Sequence, residues 1–143
     1  MILDFFDDLN WVAVLVAWLA AFAIGSVWYA PPVLGNRWAG YVTGFTRMSK
    51  EELAAGSMAA ALPKWLVGMA VNAIALALAL EAMGADSVGD GIVAGLVLGI
   101  GLGATLMSWP VIFARMPLGL WAINTGAFLA MQVAMGAILG AWN

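Results

Sequence analysis

Glu81 is the only acidic residue inside a long apolar stretch of this chain, and an ionisable group in hydrocarbon is by default a candidate for proton or ion work. Its position argues against that use. It lies within about one turn of the end of its stretch, beside Asp86 and Asp90, where an ordinary solvated carboxylate is expected. The remaining deep polar groups are amides and hydroxyls: Asn72, Thr105, Asn124 and Gln132, with Ser26 and Ser108 closer to the ends. Such groups serve either as hydrogen-bonded glue between helices or as the lining of a small polar pocket. At about 1.5 Å rise per residue, Asn72 and Asn124 fall roughly 12 and 9 Å from the same side, so they are expected to share a layer. Gln132 is turned about 80° from the Asn124 face and is expected to belong to another contact.

Other chemistry is limited by what the chain lacks. It contains no histidine and no cysteine, which removes the usual haem, zinc and iron–sulfur ligands and the two commonest nucleophile–base pairs. Three separated carboxylates around Gly84 to Gly91 make no oxygen cage for calcium. The nine methionines, with Met131 and Met135 one turn apart, read as adaptable packing rather than a soft-metal path. No catalytic, cofactor-binding or metal-ligating residue is expected, and five scattered basic residues make no nucleic-acid surface.

The elements that position these groups follow from composition. Of 143 residues, 65% are hydrophobic and 9% charged, against roughly a quarter charged in soluble domains. That is the composition of a chain whose exterior meets lipid. Four apolar stretches, about Leu9 to Tyr29, Lys64 to Met83, Gly91 to Trp109 and Leu118 to Trp142, each approach the roughly 20 residues a helix needs to cross hydrocarbon. The third would run on to Phe113 if Pro110 bends the helix rather than ending it. The expected fold is all-α: one domain over 1–143, four transmembrane helices and a short cytoplasmic interfacial helix.

Arg37, Arg47, Lys50 and Lys64 lie within or at the end of the first connection and Arg115 within the third, whereas Asp4, Asp7, Asp8, Asp86 and Asp90 fall on the opposite side. Basic residues near helix ends are retained in the cytoplasm, so both termini are expected outside. The acidic leader lacks the basic region of a signal peptide, and the first span is expected to be retained. Alanine and glycine content is compatible with a bacterial plasma membrane. In the long connection, Ser49 and Glu52 have capping-box spacing, predicting a short helix from Lys50 to about Leu62.

Gly91, Gly95, Gly99 and Gly103 recur every fourth residue, and Gly126, Ala130 and Ala134 form a weaker stripe. Small residues at this spacing let helix backbones approach where lipid offers little hydrophobic drive. Packing within the monomer and docking to a second copy or another subunit both satisfy the pattern.

The segment Asn10-Trp11, then Trp28-Tyr29-Ala30-Pro31 and Gly35-Asn36-Arg37-Trp38, with a helix start at Thr46 to Leu53, resembles a family of small membrane proteins, domain of unknown function 1761. The resemblance spans nearly the whole chain and implies four spans and a membrane location, without an activity or a substrate. Ala30 and Pro32 stand where serine and an aliphatic residue are more usual in the family. Physically, Trp28, Tyr29 and Trp38 would anchor depth, Pro31 would turn the chain, Gly35 would supply an unusual backbone angle and Arg37 would meet anionic headgroups. The expected role is a non-enzymatic structural or accessory subunit, embedded in the bilayer as a homo-oligomer or within a larger membrane complex. A small transporter or channel, with coupling through Glu81, is the first alternative. A lipid or pigment binder using Trp18 and the Asn72–Asn124 layer is the second.

Overall fold

Main-chain N–H and C=O groups cannot stay open in hydrocarbon, so the apolar stretches must close their hydrogen bonds within helices. The computed structural model describes residues 4–56 and 58–142, and no strand occurs among them. In chain order the helices are α1 (Phe5–Asp8), α2 (Trp11–Trp28), α3 (Asn36–Thr46), α4 (Lys50–Ala55), α5 (Met58–Met83), α6 (Val88–Ala114) and α7 (Leu118–Ala141). Helices α2, α5, α6 and α7 carry the four spans, each long and apolar enough to cross a membrane. This is the build of an integral membrane protein.

The ends of the spans are set by local chemistry. Asn10 accepts the Ala13 amide and so caps span one, while its own amide nitrogen donates to the Trp142 carbonyl at 3.4 Å. That contact puts the start of span one and the end of span four at one end of the bundle. Span two stops at Gly84, whose φ of +65° lets the Ala85 amide reach back to the Leu80 carbonyl and the Gly84 amide to that of Glu81. Ser87 caps span three by accepting the Asp90 amide, and its hydroxyl donates to the Asp90 carboxylate.

Span four lies in the middle and packs on all three others. Its contact with span three is made largely by main chain. A methyl group on Gly91 would overlap the Gly136 carbonyl, one on Gly95 would come within 2.5 Å of the Gln132 carbonyl oxygen, and one on Gly140 would overlap the Ser87 carbonyl. Span one meets the core through Ala13, Ala17 and Ala21, each fully buried, and through Gly25. Leu80 of span two fills the same core with Met135 and Leu139 of span four. Large aliphatics such as Val67, Val71, Val93, Val97 and Ile100 face outward, as lipid permits.

Three boundaries differ from the sequence expectation. The long connection holds a full helix, Asn36–Thr46, entered through a wide turn over Pro31–Gly35 in which the Gly35 amide reaches the Ala30 carbonyl. The two prolines fit there because the first turn has no intrahelical use for their missing N–H groups. The capping box at Ser49 and Glu52 forms and lowers the Glu52 carboxyl from its usual value, chiefly through its bond from the Ser49 amide. Its helix ends at Ala55, however, and residues 58–62 belong instead to span two, which passes through Pro63. Met58 falls within the helix expected up to Leu62, and its side chain lies outside the described residues. Span three begins at Val88, ahead of the expected Gly91, and widens into a π-helical stretch at Gly99–Ala104; it takes the longer of its two expected ends, continuing past Pro110 to Ala114. An extra residue per turn there shifts the register of side chains on either side.

Replacing Gly136 by Ala puts a methyl group into the Gly91 main chain, and an expected loss of about 1–3 kcal/mol follows from overpacking. Gly68, with no atom within 4 Å of an added methyl, should accept Ala within about 0.5 kcal/mol. Unfolding of both variants in mixed micelles checks this; equal effects would show that the span three–four contact does not depend on bare main chain.

Candidate functional site

The deep amides do not meet in one layer. Asn72 and Gln132 form a reciprocal pair between spans two and four, with Asn72 Nδ2 to Gln132 Oε1 at 3.2 Å and Gln132 Nε2 to Asn72 Oδ1 at 3.4 Å. Asn124 instead accepts the Tyr29 hydroxyl at 2.8 Å. The shared Asn72–Asn124 layer is thus corrected: Gln132 does lie in a contact apart from Asn124, and Asn72 joins it there. Helical rotation ranks positions on one helix, but partner choice depends on where a second helix crosses, which rotation alone does not fix. Gln132 joins three helices: its carbonyl faces Gly95, its side-chain stem Gly99 and its amide Asn72. In lipid an amide pair of this kind replaces an otherwise unmet desolvation cost.

The hydroxyls are spent locally. Ser26 donates to the Phe22 carbonyl, Thr105 to Ile100 and Ser108 to Thr105, each within its own helix. The hydroxyl of buried Thr125 has the Met107 sulfur as its partner among the described residues, at 4.0 Å. Glu81 is half-buried in the last turn of span two, where its carbonyl takes part in the Gly84 cap. Among the described residues, no buried side-chain nitrogen or oxygen lacks a partner. The amides thus tie helices to one another, whereas the hydroxyls of Ser26, Thr105 and Ser108 bond back within their own helices.

Tryptophans supply further ties. The Trp18 indole donates to the Leu66 carbonyl at 3.0 Å, which joins spans one and two and answers what this deep ring faces. Trp121 donates to Ala104 at 3.4 Å, at the end of the π-helical stretch. At the end of span one, Trp28 donates to the Ile123 carbonyl at 3.0 Å while the neighbouring Tyr29 engages Asn124. Two consecutive aromatics therefore lock onto two consecutive residues of span four. The Trp28 ring covers Gly126, where an added methyl would come within 2.9 Å of it. Tyr29 also stands edge-on to Trp38 at 5.9 Å between centroids, so the turn through Pro31 is tied to α3. Gly35 has an ordinary helical φ of −60°. Its lack of a side chain serves close approach, because a methyl there would overlap the Tyr29 carbonyl; the expected unusual backbone angle is corrected.

The expected glycine stripes are occupied within the chain. Gly91 and Gly95 face span-four main chain, Gly99 faces Leu129 and Gln132, and Gly103 faces the Phe128 ring. Gly126 serves Trp28, while Ala130 and Ala134 are half-buried. A second small-residue series, Ala13, Ala17, Ala21 and Gly25, was not singled out from sequence. Its fourth-residue spacing was the available signal, diluted by the general abundance of alanine.

The connector end of the bundle is open. At the end of the bundle opposite the termini, a cavity of about 360 Å³ is lined by α3 residues and the loop after span three, with Arg47 and Arg115 on its walls. A second of similar volume, against Arg37, shares Gly40 and Tyr41 with it. The Tyr41 ring is seated on Gly119 of span four, where an added methyl would overlap it. No cluster of carboxylates suited to a metal ion occurs among the described residues.

A family model described as a protein of unknown function, DUF1761, matches residues 12–140. No curated protein and no solved structure matches the chain.

A double-mutant cycle on Asn72→Leu and Gln132→Leu should give a coupling of about 0.6–2 kcal/mol. Either single change strands the other amide and should cost more than half of the double change. Asn124→Leu should add to Asn72→Leu within about 0.5 kcal/mol because the two belong to separate pairs. Thermal unfolding in micelles reads both, and additivity across Asn72 and Gln132 would dismiss their bond.

Proposed function

Because the chain belongs to the DUF1761 family of proteins of unknown function, we propose that it is a non-enzymatic structural or accessory subunit of a bacterial plasma membrane, with both termini on the outer side. The observation that carries this reading is the uncovered face of span two. Gly68 has no atom within 4 Å of an added methyl, and Ala75 and Ala82, at intervals of seven residues, are exposed on the same helix with Val71 between them. Small residues repeating at seven are suited to a close left-handed crossing with another helix. The Gly91 stripe is already spent, so span two is the face offered to a second copy or another subunit. The interior supports the same conclusion, because its polar groups are bonded in pairs between helices or back onto their own helix. The orientation rests on the basic residues at the connector end and the acidic residues at the end holding the termini.

The intact particle, weighed in several mild detergents, should exceed the monomer's mass or carry a partner. Gly68→Leu should reduce it to the monomer while leaving its unfolding temperature nearly unchanged. A strictly monomeric wild-type particle in every detergent would overturn the proposal.

For orientation, single cysteines at Lys50 and Asp86 in the otherwise cysteine-free chain would be probed with an impermeant thiol reagent on intact cells. Asp86→Cys is expected to react and Lys50→Cys to stay protected; the reverse result would invert the assignment.

A further inference from the structure

Charge, space and backbone strain coincide in the groove at the connector end. Arg47 and Arg115 have φ of 60° and 56°, and they are the two non-glycine residues with positive φ among the described residues. Each closes a helix where glycine is the unstrained choice. Both line the same cavity, although one follows α3 and the other follows span three. Strained residues held together in this way mark places where the side chain is needed at that spot.

The space between them is kept open by glycines of a different kind from those in the core. Gly40 and Gly44, on the α3 face that also bears Arg37 and Tyr41, have nothing within 4 Å of an added methyl. Their missing side chains accommodate no other part of the chain. Tyr41, held by its ring against Gly119, has no hydrogen-bond partner for its hydroxyl among the described residues, and none of the three arginines pairs with a carboxylate there. The carbonyl ends of α3 and span three also point to this region, contributing about half a negative charge each. Two full guanidinium charges outweigh them, and Arg37 adds a third beside the neighbouring cavity.

Planar guanidinium groups form paired hydrogen bonds with phosphate oxygens, and a phenol adds a donor. We propose that this groove binds an anionic phosphate group, with Arg47 and Arg115 clamping it from two chain segments and Tyr41 donating between them. Lipid headgroups and soluble phosphate share this chemistry. The site is independent of the accessory-subunit reading, since its residues come from one chain and a monomer can hold the ligand.

The full chain in neutral detergent would be unfolded thermally with added phosphatidylglycerol, phosphatidylcholine or inorganic phosphate. Phosphatidylglycerol is expected to raise the unfolding temperature and zwitterionic phosphatidylcholine to leave it unchanged. Protection by inorganic phosphate alone would identify a soluble ligand for the same site. Arg47→Gln and Arg115→Gln should each raise the half-saturating concentration at least tenfold, whereas Lys64→Gln, outside both cavities, should change it less than twofold. Arg115→Gly separates binding from folding: it should raise the unfolding temperature without ligand, by relieving the positive φ, yet abolish the ligand-induced rise. Absence of protection by both anionic probes, or an equal effect of Lys64→Gln and Arg115→Gln, would overturn the proposal.

Discussion

The approach of spans three and four along bare main chain is the constraint on which the rest of the bundle depends. Lipid tails are as apolar as leucine, so helices in a bilayer are held by close contact rather than expulsion of water. Gly91 and Gly95 meet Gly136 and the Gln132 carbonyl without intervening side chains. This brings span four into the centre and leaves its other faces for spans one and two. Ala13, Ala17 and Ala21 extend the same economy of volume to span one. Larger residues fill the rest of the core, chiefly Leu80, Met135 and Leu139.

Once the backbones are close, aromatic rings and amides determine register. Trp28 covers Gly126, Tyr41 sits on Gly119 and Trp65 packs over Gly25. Each ring lies in a depression left by a glycine on another helix. The indole groups of Trp18, Trp28 and Trp121 donate to main-chain carbonyls on neighbouring spans, while Asn72 and Gln132 join spans two and four. These bonds are directional where van der Waals contact is not, and they fix how the helices are rotated. They also bind the interior polar groups to one another, so that the groups left to meet other molecules lie on the outside of the bundle and at its connector end.

That connector was the least legible part of the sequence. The Ser49–Glu52 cap was readable because it depends on residues three apart, and it forms. The helix after it is shorter than its sequence suggests, because alanine-rich sequence carries helical propensity on both sides of Gly56 and does not reveal a break. Helix Asn36–Thr46 was missed for a related reason. Its glycines and threonines argue weakly for a helix, and packing of Tyr41 and Trp38 supplies what propensity lacks. The strain at Arg47 and Arg115 has no counterpart in residue type, since arginine carries no preference for positive φ.

Four helices suited to an apolar medium are legible in residue order alone, because length, hydropathy and the scarcity of charge are local quantities that lipid reads one stretch at a time. Residue order also displays the small-residue spacing of Gly91 to Gly103 and the aromatic turn from Trp28 to Trp38. Only the tertiary structure decided that those glycines face span four, that Asn72 chooses Gln132 while Asn124 chooses Tyr29, and that Arg47 and Arg115 share a groove. Each of these depends on the crossing of two helices distant in the chain, and a crossing is settled by the summed fit of both surfaces rather than by the pattern on either one.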